Sequence, residues 1–354
     1  MRKTATFASM ASVVALTSLV LSGCGTSNSN GANSNAADTT NVSSSTSSTS
    51  SNSTTSSNNQ PSGTLTVYGA LTAENGQAIV RAFEAYNPNA KVNMVTAGTG
   101  DLITRINAEQ KAGGVKADVL LLADPTAMAP LNQKGILASY TPPEAKQLPS
   151  SLKGTDWVAA FTFHNIILYH KGMSLPAPKS LKDLTNSSYK GHLEIGDPSY
   201  SGTTLGLVGY LNNKYGKSYF QSLKQNQVSV VSSTNTVGTD VASGREDVGI
   251  TLDSVANTLV KQKSPVVEVW PSDGAVPVPA PISIVRGSDN SLSEDFVNWL
   301  LSPSGQKVVA SVGLAPAVGK SDLVPSNASM ASVNWSSIGS SRQDILSEFK
   351  TVLG

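Results

Sequence analysis

From Gly63 onward, short apolar runs alternate with segments whose apolar residues recur at helical spacing. The first run, 65–68, reads as a strand, and Ile79, Phe83 and Tyr86 then fall on one face of a following helix. This alternation is typical of an α/β architecture with mostly parallel sheets. The alternation continues almost to the C-terminus, so most of the chain is predicted to adopt this α/β architecture.

The same reasoning predicts the remaining elements. Strands are predicted at 91–95, 118–122, 157–163, 166–169, 192–195, 228–231, 247–250 and 266–270, with a proline-interrupted extended segment at 276–285. Helices are predicted at 101–111, from Pro125 to near Gly135, at 203–215, 218–225, 236–243 and 254–261, twice within 292–312, and at the C-terminus around Ile345 and Phe349.

Residues 1–23 have the pattern of a signal peptide. Arg2 and Lys3 precede an apolar run at 11–21, which is too short to cross a bilayer core of about 30 Å. The run leads into Leu-Ser-Gly-Cys24, which resembles the lipobox of bacterial lipoproteins. That resemblance implies acylation of Cys24 and an anchor on the outer face of the cell membrane. The alternative is an ordinary signal peptide, or a buried helix, followed by a chance cysteine.

The segment 24–62 is predicted to be a disordered linker behind the acylated cysteine. Its residues are almost entirely Ser, Thr, Asn, Gly and Ala, and Asp38 is its only charge, so it cannot bury enough apolar surface to fold. A flexible coil of ~38 residues reaches ~35 Å. The net charge of the chain is +1, so no nucleic-acid partner is expected. Cys24 is the only cysteine, which excludes an intrachain disulfide.

Six stretches of the folded part carry a family resemblance. They are LTVYG at 65–69, ADVL at 117–120, PKSLKDL at 178–184, YKG at 189–191, GDPSYSGT at 196–203 and WLLSPSGQ at 299–306. In this order they resemble the extracellular solute-binding proteins of ATP-driven (ABC) importers, in the branch of iron(III)-, phosphonate- and thiamine-type periplasmic binding proteins. The resemblance implies two α/β lobes joined by a hinge, closing around a solute that is passed to a permease and its ATPase subunits.

The element order and the resemblance together predict the domain boundaries. Residues 63–164 and 276–354 are assigned to lobe 1, and 165–275 to lobe 2. The ligand cleft is expected between them, where loops at strand ends and helix N-termini converge. The protein is expected to be a monomer without a cofactor.

The most informative site signal is the run Ser201, Gly202, Thr203 and Thr204 before a predicted helix. Backbone N–H groups and hydroxyls at a helix N-terminus favour an anion, and glycine allows close approach. The alternative is that Ser201 or Thr203 only caps the helix. The resemblance favours binding, because the matching Ser-Gly pair holds an anion in the family.

Other candidate ligand contacts carry weaker signals. Thr99 and Gly100 belong to a nest-like loop, and Thr72 and Asn235 precede helices, where a capping role is the alternative. Asp124, Asp253 and Ser254 complete the predicted site, with the two aspartates expected near its rim. Either carboxylate is an equally reasonable structural cap.

One departure from the family bears on the solute. The iron-binding branch has two adjacent tyrosines after a strand of lobe 2, and Val255 and Ala256 stand there instead. Ala123 likewise replaces an expected carboxylate. The three histidines, His164, His170 and His192, lack metal-ligand spacing. No metal site is therefore predicted.

The sequence as a whole predicts a membrane-anchored binding protein for a small anionic or zwitterionic solute, such as a phosphate ester, a phosphonate or another oxyanion. Two alternatives stay open: binding of a ferric complex without the tyrosine pair, and an envelope sensor lipoprotein of the same fold. Enzymatic activity is not expected. Matches to motifs of penicillin-recognising enzymes occur at 150–153 and 288–290, but the third motif, Lys-Thr-Gly, is missing.

Overall fold

A computed structural model describes residues 60–288 and 291–354. The predicted signal peptide at 1–23, Cys24 and the linker up to residue 59 lie outside the described residues. The strands are β1 (Gly63–Gly69), β2 (Ala90–Thr96), β3 (Val119–Leu121), β4 (Lys153–Gly154), β5 (Trp157–His170), β6 (Leu193–Gly196), β7 (Ser229–Val231), β8 (Val248–Leu252), β9 (Val266–Val269), β10 (Val276–Ile284) and β11 (Ala315–Pro316).

The helices follow the predicted positions closely, except for α10, which was not predicted. They are α1 (Ala73–Tyr86), α2 (Thr99–Lys111), α3 (Met128–Gln133), α4 (Gly202–Tyr215), α5 (Lys217–Gln225), α6 (Thr234–Ser243), α7 (Asp253–Lys261), α8 (Leu292–Leu301), α9 (Pro303–Ser311), α10 (Trp335–Ser340) and α11 (Arg342–Leu353). Short 3-10 helices lie at Pro125–Ala127, Pro143–Gln147, Ser150–Leu152, Lys182–Thr185 and Ser187–Tyr189.

Hydrogen bonds link all the strands into one sheet, in the order β2-β1-β3-β10-β5-β8-β6-β7, and β4, β9 and β11 also pair with β5. The outer pairs, such as β1 with β2 and β6 with β7, are parallel. The central pairs are antiparallel, because β10 runs opposite to both β3 and β5. The prediction of mostly parallel sheets is therefore right only for the two flanks.

Strand β5 crosses the whole molecule. Residues 158–165 pair with β10, and residues 165–169 pair with β8, so that Asn165 faces partners on both sides. The sequence predicted two strands here, interrupted at His164 and Asn165. The strand continues because both polar side chains are buried with partners: the His164 ring meets Asp253 at 2.7 Å, and Asn165 donates to the Thr203 carbonyl at 3.2 Å.

Two large hydrophobic cores lie on either side of this crossing. The first core draws its residues from 65–163 and 278–317, with Leu252 added. The second core draws them from 167–250, with Val276 and residues between 331 and 349. A smaller third cluster lies between residues 166 and 275.

The C-terminal segment differs from the prediction, which placed residues 276–354 in lobe 1. Ile338, Ile345 and Phe349 belong to the second core, where α11 packs against α4 and α5. The reason is visible on α4: a Cβ at Gly206 would lie 2.5 Å from the Trp335 ring, and one at Gly209 would lie 2.9 Å from Ile338. The two glycines thus let α10 lie directly on α4.

Candidate functional site

A cavity of about 560 Å³ lies where the two cores face each other. One side, which we call the first wall, is formed by residues 70–75, 96–99, 101 and 123. The opposite side, the second wall, is formed by residues 200–203, 232–235, 239, 252, 254, 255, 258, 259 and 262. Phe163 on the crossing strand β5 joins them. A volume of this size suits a small organic solute.

Five helices begin at the cavity. Their N-cap residues, which all line it, are Thr72 of α1, Gly98 of α2, Ser201 of α4, Ser233 of α6 and Leu252 of α7. The first N–H groups of a helix have no partner within it, and its N-terminus carries the equivalent of about half a positive charge. The cavity therefore offers backbone donors and partial positive charge from several directions.

The Ser201 hydroxyl organises the start of α4. Its oxygen accepts from the Thr204 backbone N–H at 3.2 Å and from the Thr204 hydroxyl at 2.9 Å, and it contacts the Thr203 hydroxyl at 3.0 Å. The capping alternative raised from the sequence is thus correct for Ser201. Capping and binding are compatible, because Ser201, Gly202 and Thr203 also line the cavity.

The two walls differ in charge. Among the described residues, the only charged side chains that line the cavity are Glu74 and Asp101, and both lie on the first wall, in the first turns of α1 and α2. On the second wall, the first turns of α4 and α6 contain no acidic residue. The third helix of this wall, α7, has Asp253 in its first turn, in contact with the His164 ring. The second wall is therefore electropositive at the N-termini of α4 and α6, whereas carboxylates offset the helix N-termini of the first wall.

The walls touch beside the cavity. The Gly100 N–H donates to the Tyr200 carbonyl at 3.1 Å. A Cβ at Gly202 would lie 2.6 Å from Asp124 Cβ, 2.8 Å from the Ala123 carbonyl oxygen and 3.0 Å from Thr99 Oγ1. Since real Cβ contacts are longer, only glycine allows α4 to approach the first wall this closely.

The structure brings together most of the predicted site residues. Those that line the cavity are Thr72, Thr99, Ser201, Gly202, Thr203, Asn235 and Ser254. Gly100 and Thr204 instead support the walls, through the Tyr200 carbonyl and the Ser201 hydroxyl. Thr72 also caps α1, because its hydroxyl accepts from the Asn75 N–H at 3.2 Å.

The expectation that Asp124 and Asp253 lie near the rim is wrong. Both are almost fully buried, because each carboxylate is held by several donors. Asp124 accepts from the Thr126 N–H at 2.8 Å and pairs with Arg342. Asp253 accepts from the His164 N–H at 3.0 Å and contacts the His164 ring at 2.7 Å. The capping alternative raised from the sequence is correct for Asp124, which caps the 3-10 helix Pro125–Ala127. Asp253 is structural in another way: it is the first residue of α7, whose N-cap is Leu252, and its carboxylate is held by His164.

Sequence reasoning missed several residues of the cavity. Glu74 and Asp101 line the first wall, Phe163 lies on β5, and Tyr200, half exposed, lies on the second wall. Tyr200 directly precedes the run from Ser201 to Thr204, which was the most informative site signal in the sequence, so its position next to that run could have identified it. The two acidic residues occupy first turns of helices, where such residues are common for stability alone.

Metal ligation finds little support in the described part of the chain, where no three His, Cys, Asp or Glu side chains are grouped to hold an ion. The His192 ring contacts Asp247 at 2.7 Å, and the His170 ring accepts from the Gly172 N–H at 3.0 Å.

None of the helices within 60–288 and 291–354 is both long and apolar enough to cross a membrane.

A cavity between two α/β cores, joined by a continuous crossing strand, defines a cleft-type binding protein. The chain belongs to the bacterial extracellular solute-binding proteins, whose family model matches residues 65–315. The predicted relationship to binding proteins of ABC importers and the predicted α/β fold of the periplasmic-binding-protein type are both confirmed.

Individual relatives agree with this assignment. The chain is 36% identical over 152 residues to the probable ABC transporter periplasmic-binding protein y4fP of Sinorhizobium fredii, a match that covers 42% of this chain and only 41% of that protein. It is 26% identical over 256 residues to the thiamine-binding periplasmic protein of Salmonella typhimurium, covering 70% of this chain and 77% of that one.

The fold is also similar to that of a solved structure, the periplasmic binding protein AfuA from Actinobacillus pleuropneumoniae with exogenous fructose-6-phosphate bound. The TM-score is 0.74 at 21% identity, covering 82% of this chain and 98% of the other. At this identity the likeness concerns the fold alone.

Proposed function

We propose that this protein binds a small zwitterionic organic solute in the cavity and delivers it to an ABC permease. The observation that carries the proposal is the opposite character of the two walls. An oxyanion fits the second wall, at the N-termini of α4 and α6, where Ser201 and Ser233 are the caps. An amine or another cationic group fits the first wall, beside Glu74 and Asp101.

The sequence left open whether the solute is anionic or zwitterionic, and the charges that line the cavity favour the zwitterion. Among the described residues that line the cavity, there is no lysine, arginine or histidine that could balance the charge of an anionic solute. A purely anionic solute would also face the two carboxylates of the first wall, at a cost in affinity. Cavity size supports a solute with an organic body, and Leu71, Phe163 and Val255 supply apolar contact for it.

The relatives support the same range of solute sizes. One relative is named for thiamine, and one protein of similar fold was solved with fructose-6-phosphate. Binding of a ferric complex fits less well, because Val255 and Ala256 offer no oxygen ligands. We propose delivery rather than catalysis, because the family is one of transport-associated binding proteins.

The proposal includes a lipid anchor on Cys24 at the outer face of the cell membrane. The segment Leu21 to Cys24 is the support for it. The linker of ~38 residues that the sequence predicts would then hold the cleft within ~35 Å of the anchor and raise its effective concentration near a permease.

The test is a thermal-shift screen with matched series of compounds. In one series, glucosamine 6-phosphate carries both charges, glucose 6-phosphate only the anion and glucosamine only the cation. Thiamine monophosphate and thiamine form a second series, and aminoalkyl- and alkylphosphonates a third. A solute at ~100 times its dissociation constant adds about 2.7 kcal/mol of stability. We expect the zwitterionic members to give the largest shifts.

Larger shifts with the anionic or the cationic members would contradict the proposed solute class, as would a panel without any shift. Ferric citrate in the same screen tests the iron alternative. Uptake of the labelled zwitterion by cells lacking this protein then separates import from sensing. Lost uptake is the expected result, and unchanged uptake would favour the sensor alternative.

A further inference from the structure

The C-terminal segment connects the two cores in an unexpected way. Helices α10 and α11 pack on the second core, through Ile338, Ile345 and Phe349. Residue Ala331 donates to the Ala275 carbonyl at 2.8 Å, which ties the start of the segment to the same side. Helix α11 therefore moves with the second core in any motion that preserves this packing, whereas α10 also packs against the 3-10 helix Pro125–Ala127 of the other side.

One side chain of α11 also reaches the other side of the cleft. Arg342, the first residue of α11, pairs through Nη1 with the carboxylate of Asp124 and contacts Thr126 Oγ1 at 2.6 Å. Asp124 is fully buried, and the Arg342 side chain is 25% exposed. Asp124, Thr126 and the neighbouring Ala127 belong to the part of the chain that packs on the first core.

The ion pair lies directly behind the point where the walls of the cavity meet. A Cβ at Gly202 would lie 2.6 Å from Asp124 Cβ, so the same aspartate contacts the start of α4 and holds Arg342. Opening the cleft by separating the two cores would pull Arg342 away from Asp124. A buried carboxylate left without its cation is strongly destabilising.

We infer that Arg342 is a positioning residue of the cleft: it ties the C-terminal segment to Asp124 and so holds the two walls of the cavity together. The pair acts as a strap that favours the closed arrangement. This role requires neither a particular solute nor the proposed solute class. It is therefore testable without a ligand.

The experiment measures the distance between the two sides of the cleft by double electron–electron resonance. Spin labels are attached at Gln110→Cys on α2 and Gln221→Cys on α5, which are both exposed, in the full chain carrying Cys24→Ser. We expect Arg342→Gln to lower the ratio of closed to open molecules about tenfold, seen as a longer inter-label distance. Arg342→Lys should retain much of the closed population, because it keeps the charge.

Lys217→Gln is the matched control. Lys217 pairs at 3.4 Å with Glu348 on the same helix as Arg342, but both residues lie on the second side. It should leave the distance distribution unchanged. If Arg342→Gln does not fold, Asp124→Asn/Arg342→Gln removes the pair without leaving a buried charge, and it should open the cleft in the same way. A distance distribution in the folded variant that superimposes on that of the unsubstituted chain would overturn the inference.

Discussion

Replacing Gly202 by alanine adds one methyl group at the point where the two walls of the cavity meet. The new Cβ would lie 2.6 Å from Asp124 Cβ and 2.8 Å from the Ala123 carbonyl oxygen, whereas carbon atoms in favourable contact are about 3.5–4.0 Å apart. The walls must therefore move apart by about 1 Å. Asp124 cannot yield easily, because it is fully buried and pairs with Arg342.

The expected loss of affinity follows from this clash. Inserting a methyl group into a closely packed contact costs about 1–3 kcal/mol. If most of that cost falls on the closed arrangement, solute affinity drops between about 5-fold and 150-fold.

The assay is calorimetric titration with the solute identified by the matched series. Gly339→Ala is the control, because it places the same methyl group in α10, where the nearest atom, Thr126 Cβ, is 3.6 Å away in ordinary contact. That variant should bind as the unsubstituted chain does. Equal affinity in Gly202→Ala and Gly339→Ala would refute the reasoning that the wall contact at Gly202 controls closure.

Three further predictions follow from single features. Ser201→Ala/Thr203→Ala should weaken solute binding at least about tenfold in calorimetry, because it removes the hydroxyls at the start of α4; unchanged affinity would exclude an oxyanion there. Burial, with the nearby charge of Asp240, raises the pKa of Glu194 from 4.5 to about 7. In the folded protein the carboxyl is therefore fully protonated below pH 4.5, and it ionises at a cost in folding stability as the pH rises through 7. Glu194→Gln should remove a penalty of up to about 3 kcal/mol at pH 8 and little at pH 4, which denaturant unfolding at the two pH values checks; an equal effect at both would contradict it. Cys24→Ser should release the protein from the membrane fraction, and retention there would contradict the anchor.

The regular elements were predictable because their signals are local. Strand β1 and helix α1 follow from apolar spacing, and Asn87 ends α1 as its position before a proline suggests. The start of α4 at 201–204 was also predictable, because it combines small polar residues with the start of a helix. These features depend on residues within one or two turns of each other.

The remaining features depend on contacts between distant parts of the chain. Strand β5 continues through His164 only because Asp253, from another element, satisfies it. Asp124 turns away from the cavity because Arg342, more than two hundred residues later, pairs with it. Glu74 and Asp101 become lining residues only when the cores face each other. None of these partners can be deduced from local periodicity.

The central claim is that the two walls recognise opposite charges on one solute. Calorimetric titration of Glu74→Gln/Asp101→Asn with the most tightly bound zwitterion, and with its anionic analogue, tests this claim most directly. We expect the variant to bind the zwitterion at least about tenfold more weakly, since a hydrogen bond to a charged group contributes about 1.5–3 kcal/mol. The anionic analogue should bind equally well or better. Unchanged affinity for the zwitterion would contradict the account.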